Sequence, residues 1–157
     1  MQGMNIAEMG HVVNVLPPKD VSGGATGDRF TMKNYGHATI IVQIGVTDEA
    51  TATILVKEAT AETGGTATAI GFNYYAETTA DGDTLGAKTV ATTAGIAVSP
   101  NNNIFYVIEI DARELSDGSP WIEVSITDVS TSANLASIVA VLSGSRFANA
   151  ESATAIA

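Results

Sequence analysis

The stretch DRFTMKNYGHATIIVQIG, residues 28–45, decides the fold class that this sequence predicts. Phe30 and Met32 alternate with charged or polar neighbours, which is the period-two pattern of a strand with one buried face. Residues 34–37, NYGH, predict a turn because Asn and Gly tolerate left-handed backbone. Residues 38–46, ATIIVQIGV, are nearly all apolar and predict a central strand that is covered on both faces. Together they predict a β-hairpin.

Outward from this stretch, short strand-like runs alternate with turn signals. The Gly64-Gly65 pair lies between two Thr- and Ala-rich runs and predicts a second hairpin. Further runs are 89–99, 104–112, 121–128 and 135–148, and residues 113–120 read as a loop with one helical turn. The segment 132–144 begins with Ser and ends with Gly, as a helix would, but its clustered β-branched residues favour a strand. We predict an all-β fold, an antiparallel β-sandwich or jelly roll of about eight strands with an extended N-terminal arm.

Composition narrows the classes of function. Seven basic residues, never adjacent, stand against seventeen acidic ones, so the net charge is −10. Nucleic acids and anionic membranes attract clustered Lys and Arg, and we therefore expect neither as a partner. The chain has no Cys, which excludes disulfides and thiolate metal sites. No apolar run approaches the roughly 20 residues that span a bilayer, and residues 1–15 lack the pattern of a signal peptide.

Three regions are predicted along the chain: an extended arm (1–27), a β-sandwich domain (28–148) and a loose C-terminal tail (149–157). Pro17 and Pro18 force an extended backbone in the first region, and a Gly pair follows them. Its apolar residues either fold back on the core or dock on a neighbouring subunit, and the run HVVNV is also a candidate edge strand. The predicted partner-binding residues are Met4, Ile6, Met9, Val12, Val13, Val15, Pro17 and Pro18.

The sequence has few candidate catalytic or metal-binding residues. His11 and His37 fall in the arm and in a turn, and we expect both to be solvated or hydrogen-bonded rather than catalytic. The acidic loops, among them DGD at 81–83, do not match the spacing of a calcium loop and are typical of turns, although a cation site stays a weaker alternative. Most aromatic residues lie in strands and are expected in the core, with Tyr74 and Tyr75 on opposite faces. We predict no enzymatic activity and no cofactor.

The two ends of the chain resemble a known group of proteins. Residues 17–45, PPKDVSGGATGDRFTMKNYGHATIIVQIG, and residues 138–148, IVAVLSGSRFA, are similar to small structural proteins encoded in the head-gene region of tailed bacteriophages. Between these ends the agreement is limited to Thr- and Ala-rich strands. The resemblance implies a virion component with no catalytic residue.

The function implied by this resemblance is capsid decoration: a cement protein made in the host cytoplasm that binds the outer surface of the major capsid protein shell. Its expected partners are the major capsid protein and further copies of itself. A surface poor in long charged side chains agrees with this, because burying it in an assembly costs little side-chain entropy. The alternatives are a tail or head-fibre base module of the virion and, less favoured, a carbohydrate-binding β-sandwich.

Overall fold

The computed structural model describes residues 3, 5–47, 52–127, 133–146 and 155–156. Over these residues the chain is an antiparallel β-sandwich, which confirms the predicted fold class. Sheet A has the strand order β1-β12-β4-β10-β7-β8 and sheet B the order β2-β11-β5-β6, while β3 also pairs with β11 and β9 with β5. The described strands are β1 (His11–Asp20), β2 (Ala25–Thr26), β3 (Phe30–Thr31), β4 (His37–Thr47), β5 (Thr53–Ala59), β6 (Ala67–Ala69), β7 (Phe72–Glu77), β8 (Thr89–Ala91), β9 (Ile96–Ala97), β10 (Ile104–Asp111), β11 (Trp121–Ile126) and β12 (Asn134–Ser143).

Helical structure is limited to short pieces. One turn of α-helix, α1 (Ile6–Met9), precedes β1, and a 3₁₀ helix, Ala112–Glu114, follows β10 where one helical turn was predicted. Neither helix in this described part of the chain has the length and apolar character needed to cross a membrane.

The core lies between the inner faces of the two sheets. Strand β10 alternates strictly between buried and partly exposed residues, so that Ile108 and its inward neighbours pack against sheet B. Ile122 and Val124 of β11 face them from sheet B and are fully buried. Each such aliphatic side chain contributes about 1.5–3 kcal/mol on burial, which is the main stabilisation of a sandwich with so few aromatic residues.

The predicted hairpin at residues 28–45 is wrong in its pairing, although its strands are real. Phe30 and Met32 are buried, as their alternation predicts. However, β3 pairs with β11 in sheet B, whereas β4 pairs with β10 and β12 in sheet A. The turn between them, in which Gly36 N donates to Ser143 O over 3.0 Å, therefore carries the chain from one sheet to the other.

Strand β4 is central, as predicted, but only one of its faces is covered. Ile40, Val42 and Ile44 are buried in the core, while Ile41 on the opposite face is partly exposed. The prediction that both faces are buried is therefore wrong, and Ile41 is an apolar side chain on the outer face between Thr39 and Gln43.

The hairpin at Gly64-Gly65 is confirmed, and both glycines adopt positive φ. The run after it does not stay in one sheet: β6 pairs with β5 in sheet B, and β7 pairs with β10 in sheet A. Gly71 lies at the crossover, where a Cβ would lie 3.0 Å from Ala91 O. The run at 89–99 is likewise divided into β8 and β9. The last strand is confirmed as β12.

The division into arm, sandwich and tail needs correction. Residues 11–20 are β1, the edge strand of sheet A, and pair antiparallel with β12 from His11 to Asp20. Asp28 N donates to Val15 O over 2.8 Å, which ties this strand to the segment after it. The physical reason is that Val13, Val15 and Leu16 are apolar enough to be buried by the sandwich itself. The predicted boundary at residue 27 therefore does not separate an arm from the sandwich.

The tail, predicted to be loose, is described only at residues 155 and 156. Ala155 is buried, and its carbonyl accepts a hydrogen bond from Thr31 N over 3.0 Å. At this point the tail is part of the packed structure. The remainder of the predicted tail, 149–154 and 157, lies outside the described residues.

Candidate interaction surface

The outer face of sheet A carries a row of apolar side chains that crosses four neighbouring strands. Val139 on β12 pairs with Ile41 on β4, Ile41 with Val107 on β10, and Val107 with Tyr75 on β7. All four are only partly buried. Directly paired side chains on one face of a sheet lie close enough to touch, so these four form a continuous stripe. The stripe runs at right angles to the strands.

Further apolar side chains extend this stripe at both ends of the strands. Those that share the outer face are Val12, Phe105, Val141, Val90 and Leu135, and together with the stripe and α1 we call them the apolar face. Most of the large apolar side chains that are exposed among the described residues lie here; Val46 and Leu85 do not. Contiguous exposed apolar patches mark sites of interaction more often than they mark ordinary surface.

Helix α1 lies beside one end of the apolar face. Ile6 and Met9 line a shallow cavity of about 410 Å³ with Ile41 and Val141, and Met9 is 66% exposed. Gly10 allows this approach, because a Cβ at this position would lie 2.9 Å from Cγ1 of Val141. At the other end of the face, Leu135 lines an open cavity of about 570 Å³.

A charged cluster borders the apolar face where β4 begins. Nε2 of His37 lies 2.6 Å from Oε2 of Glu109, and Nδ1 lies 2.9 Å from Oδ1 of Asp111. Thr39 donates its hydroxyl hydrogen to the same Glu109 oxygen over 2.7 Å. Arg113 forms a 3.0 Å ion pair with the other oxygen of Asp111. The outer face of sheet A therefore carries carboxylates, but each of them is hydrogen-bonded or ion-paired to a neighbouring side chain.

The contacts of the cluster determine its protonation. An ionised carboxylate only accepts hydrogen bonds, so a His between two of them is best satisfied when both ring nitrogens donate. Partial burial by itself lowers the pKa of His37, but the hydrogen bonds and charges of Asp111 and Glu109 outweigh it and raise the net pKa. The hydrogen bond from His37 lowers the pKa of Asp111, and Arg113 adds to this. Below its raised pKa, His37 is thus an imidazolium between two carboxylates.

The outer face of sheet B differs from that of sheet A, because a network of ion pairs and hydrogen bonds centred on Glu123 lies on it. Arg29 donates to Glu123 over 2.7 Å and to the carbonyls of Ala61 and Gly64, while Lys57 lies 3.2 Å from the other Glu123 oxygen. Burial by itself raises the pKa of Glu123, but the hydrogen bonds from Arg29 and Lys57 outweigh it and lower the net pKa. The polar side chains of this network therefore bind one another on the outer side of sheet B, whereas the apolar face of sheet A stays accessible.

The acidic loop at 81–83 is organised around a carboxylate of the neighbouring strand. Glu77 accepts backbone N–H groups from Thr79 and Thr84, each over 2.7 Å. These two bonds lower the pKa of Glu77. Across the described residues no group of three or more His, Asp or Glu side chains has the arrangement of a metal site. Asp48 and Glu49 of a second acidic loop lie outside those residues.

The structure divides the predicted partner-binding residues into three sets. Ile6, Met9 and Val12 are exposed and belong to the apolar face, and Pro17 and Pro18 are exposed on the edge strand. Val13 and Val15 are 3% and 1% exposed, so the prediction that they contact a partner is wrong. Met4 lies outside the described residues.

Sequence reasoning missed the residues that form the centre of the apolar face. Ile41 and Val107 lie in runs that predict strongly apolar strands, and for β4 the run also predicts burial on both faces. The sequence offers no clear signal for them, because the outward positions of these strands also include Thr39, Gln43 and Glu109. Of the histidines, His37 is hydrogen-bonded, as expected, but its two carboxylate partners come from a strand far along the chain.

Comparison with known proteins adds one likeness of fold. No protein-family model matches the chain, and no curated protein matches its sequence. The structure is similar to the crystal structure of SPBc2 prophage-derived protein YomS, with 16% sequence identity and a TM-score of 0.44 over 85% of this chain and 93% of that chain. Similarity of this extent says nothing about activity or partners, and the interpretation of the surface rests on the residues described above.

Proposed function

We propose that this protein is a virion structural protein that decorates a capsid, binding the outer surface of the major capsid protein shell and stabilising it. The observation that carries the proposal is the apolar face of sheet A, a partly exposed stripe across four strands in a chain with few charged residues. The resemblance of residues 17–45 and 138–148 to head-region structural proteins of tailed bacteriophages supports the same assignment.

In this proposal the protein acts by adhesion, without catalysis and without a cofactor. Val107 and Ile41 form the centre of the contact, and α1 with Met9 extends it at one end. Side chains such as Val and Ile lose little rotamer freedom on burial, so contact through this face is entropically inexpensive. The net charge of −10 disfavours contact with the packaged genome, in agreement with a position on the capsid exterior. Neighbouring copies form homo-oligomers on the shell.

The direct test is co-sedimentation of the purified protein with undecorated shells assembled from the major capsid protein of the same virus. We expect saturable binding and a higher dissociation temperature of the shells. The variant Leu135→Glu places a charge on the apolar face and should weaken binding at least about ten-fold, since a buried unpaired charge is costly. Leu85→Glu is the matched control, because Leu85 is similarly exposed, at 42% against 45%, but lies outside the apolar face.

Copy number separates decoration from the alternative role as a tail or head-fibre base module. Quantitative mass spectrometry of purified particles should find hundreds of copies for a protein that covers a shell. A handful of copies would reject decoration in favour of a base module. Complete absence from particles, or equal binding by the two Leu→Glu variants, would reject the assignment of the apolar face as a capsid contact.

A further inference from the structure

A second surface lies at the end of the sandwich, separate from the apolar face. Trp121, the one tryptophan of the chain, is partly exposed at the start of β11 and lines a cleft of about 580 Å³. Leu115 and Pro120 contribute further apolar wall, and Lys33 and Arg146 also line the cleft. The cleft therefore combines an apolar interior with two cations.

The walls of this cleft are held by hydrogen bonds within the chain. Met32 N donates to Pro120 O over 2.8 Å, and Ser116 N donates to the carboxylate of the buried Glu58 over 2.8 Å. Arg146 is placed by its backbone N–H, which donates to Asn34 O over 3.0 Å. A site whose walls are fixed in advance loses less entropy when a ligand binds.

Charge indicates the chemistry of the ligand. Arg29, Lys57 and Arg113 are engaged in ion pairs, whereas the side chains of Lys33 and Arg146 make no hydrogen bond or ion pair with any described residue. Asp117 also lines the cleft, which leaves two positive charges against one negative charge in a chain of net charge −10. Two unpaired cations beside an apolar wall are complementary to carboxylates that flank an apolar side chain.

We propose that the Trp121 cleft binds an acidic peptide segment of a protein partner. Carboxylates of the peptide pair with Lys33 and Arg146, and an apolar side chain packs against Trp121 and Leu115. This inference is independent of the capsid contact, because it uses a different surface and does not depend on the apolar face.

The single tryptophan makes binding directly measurable by intrinsic fluorescence. The probe is a synthetic peptide of glutamates that carries two leucines, and the matched ligand has Gln in place of every Glu. We expect a saturable change in Trp121 emission with the glutamate peptide, weakened by added salt, and several-fold weaker binding of the glutamine peptide. No saturable change with the glutamate peptide would overturn the proposal.

Paired double variants test whether the cleft cations bind the peptide. Lys33→Gln with Arg146→Gln should weaken binding about three- to thirty-fold, in keeping with two solvent-exposed ion pairs. Lys19→Gln with Lys88→Gln removes the same charge from elsewhere on the surface and should change binding less than about two-fold. Thermal unfolding verifies that both variants are folded.

Two outcomes would contradict the assignment. Equal weakening by both double variants would show that the peptide responds only to overall charge. Tighter binding of a galacturonate oligosaccharide than of the glutamate peptide would show a site for acidic sugars instead.

Discussion

Nε2 of His37 lies 2.6 Å from a carboxylate oxygen of Glu109, while the opposite ring nitrogen contacts Asp111. Only the protonated ring donates to both carboxylates at once. Loss of that proton leaves two carboxylates on either side of a neutral ring, at the border of the apolar face. The contribution of His37 to the stability of the fold therefore decreases as the pH rises and the ring loses its proton.

The raised pKa of His37 predicts that its contribution to stability is complete below the pKa of an unfolded His, about 6.5, and is lost as pH rises through the folded value. Because the pKa of Asp111 is lowered, its carboxylate stabilises the fold above about pH 3.9. That stabilisation is lost as the pH falls through the folded pKa. We expect the melting temperature to fall as pH rises above about 6.5, the pKa of an unfolded His, and to fall less in His37→Gln. Identical slopes in the wild type and His37→Gln would contradict the assignment.

Adjacent valines of β1 test whether the first strand belongs to the sandwich. Val13 is 3% exposed and Val12 is 53% exposed. Val13→Ala should lower the free energy of unfolding by about 2 kcal/mol, from lost transfer energy and the cavity left behind. Val12→Ala should change it by less than about 0.5 kcal/mol. Urea denaturation measures both, and equal small effects would mean that β1 contributes little to the fold.

Two arginines compare a partly buried ion pair with an exposed one. The Arg29 side chain is 14% exposed and donates to Glu123 and to two backbone carbonyls, so Arg29→Ala should cost about 2–3 kcal/mol. The Arg113 side chain is 85% exposed, and Arg113→Ala should cost less than about 0.5 kcal/mol. Chemical denaturation of both variants checks the difference. Comparable losses would show that the network on sheet B is not structural.

We predict that position 82 must be glycine, because the Glu77 carboxylate leaves no room for a Cβ there. A Cβ at Gly82 would lie 2.5 Å from Cδ of Glu77, the group that accepts the N–H of Thr79 and Thr84. Gly82→Ala should therefore destabilise the protein by about 1–3 kcal/mol through steric displacement. Gly23→Ala meets no atom within 4 Å and should be neutral or slightly stabilising. A thermal shift of the same size in both variants would contradict this reading.

Local periodicity accounts for what the sequence predicts well. The alternation in β10 and β11 places Ile108 and Ile122 on inner faces, and both are buried. The positions of β12 and the Gly64-Gly65 hairpin follow from β-branched residues and turn chemistry in the same way. These features depend on neighbours along the chain, which a sequence displays directly.

The features that the sequence does not predict depend on pairing between residues far apart along the chain. Alternation shows that β3 and β4 are strands, but it does not identify their partners, which lie in different sheets. The contact of His37 with Glu109 joins residues 72 positions apart, and no local pattern marks it. An apolar run is also compatible with a core or with a surface that binds something else. In β4 the run predicts burial on both faces, whereas Ile41 on the outer face is partly exposed.

The pairing of β1 with β12 has a consequence for synthesis on the ribosome. Leu135, which pairs with Asp20, is synthesised more than a hundred residues later, which takes roughly 6 to 23 seconds at about 5–20 residues per second. During that interval β1 lacks the strand with which it pairs in sheet A. Pro17 and Pro18, which fall at a register shift of the ladder, lack the amide hydrogens by which another chain would zip onto it. The proline pair therefore shortens the stretch of β1 to which another chain could add a strand.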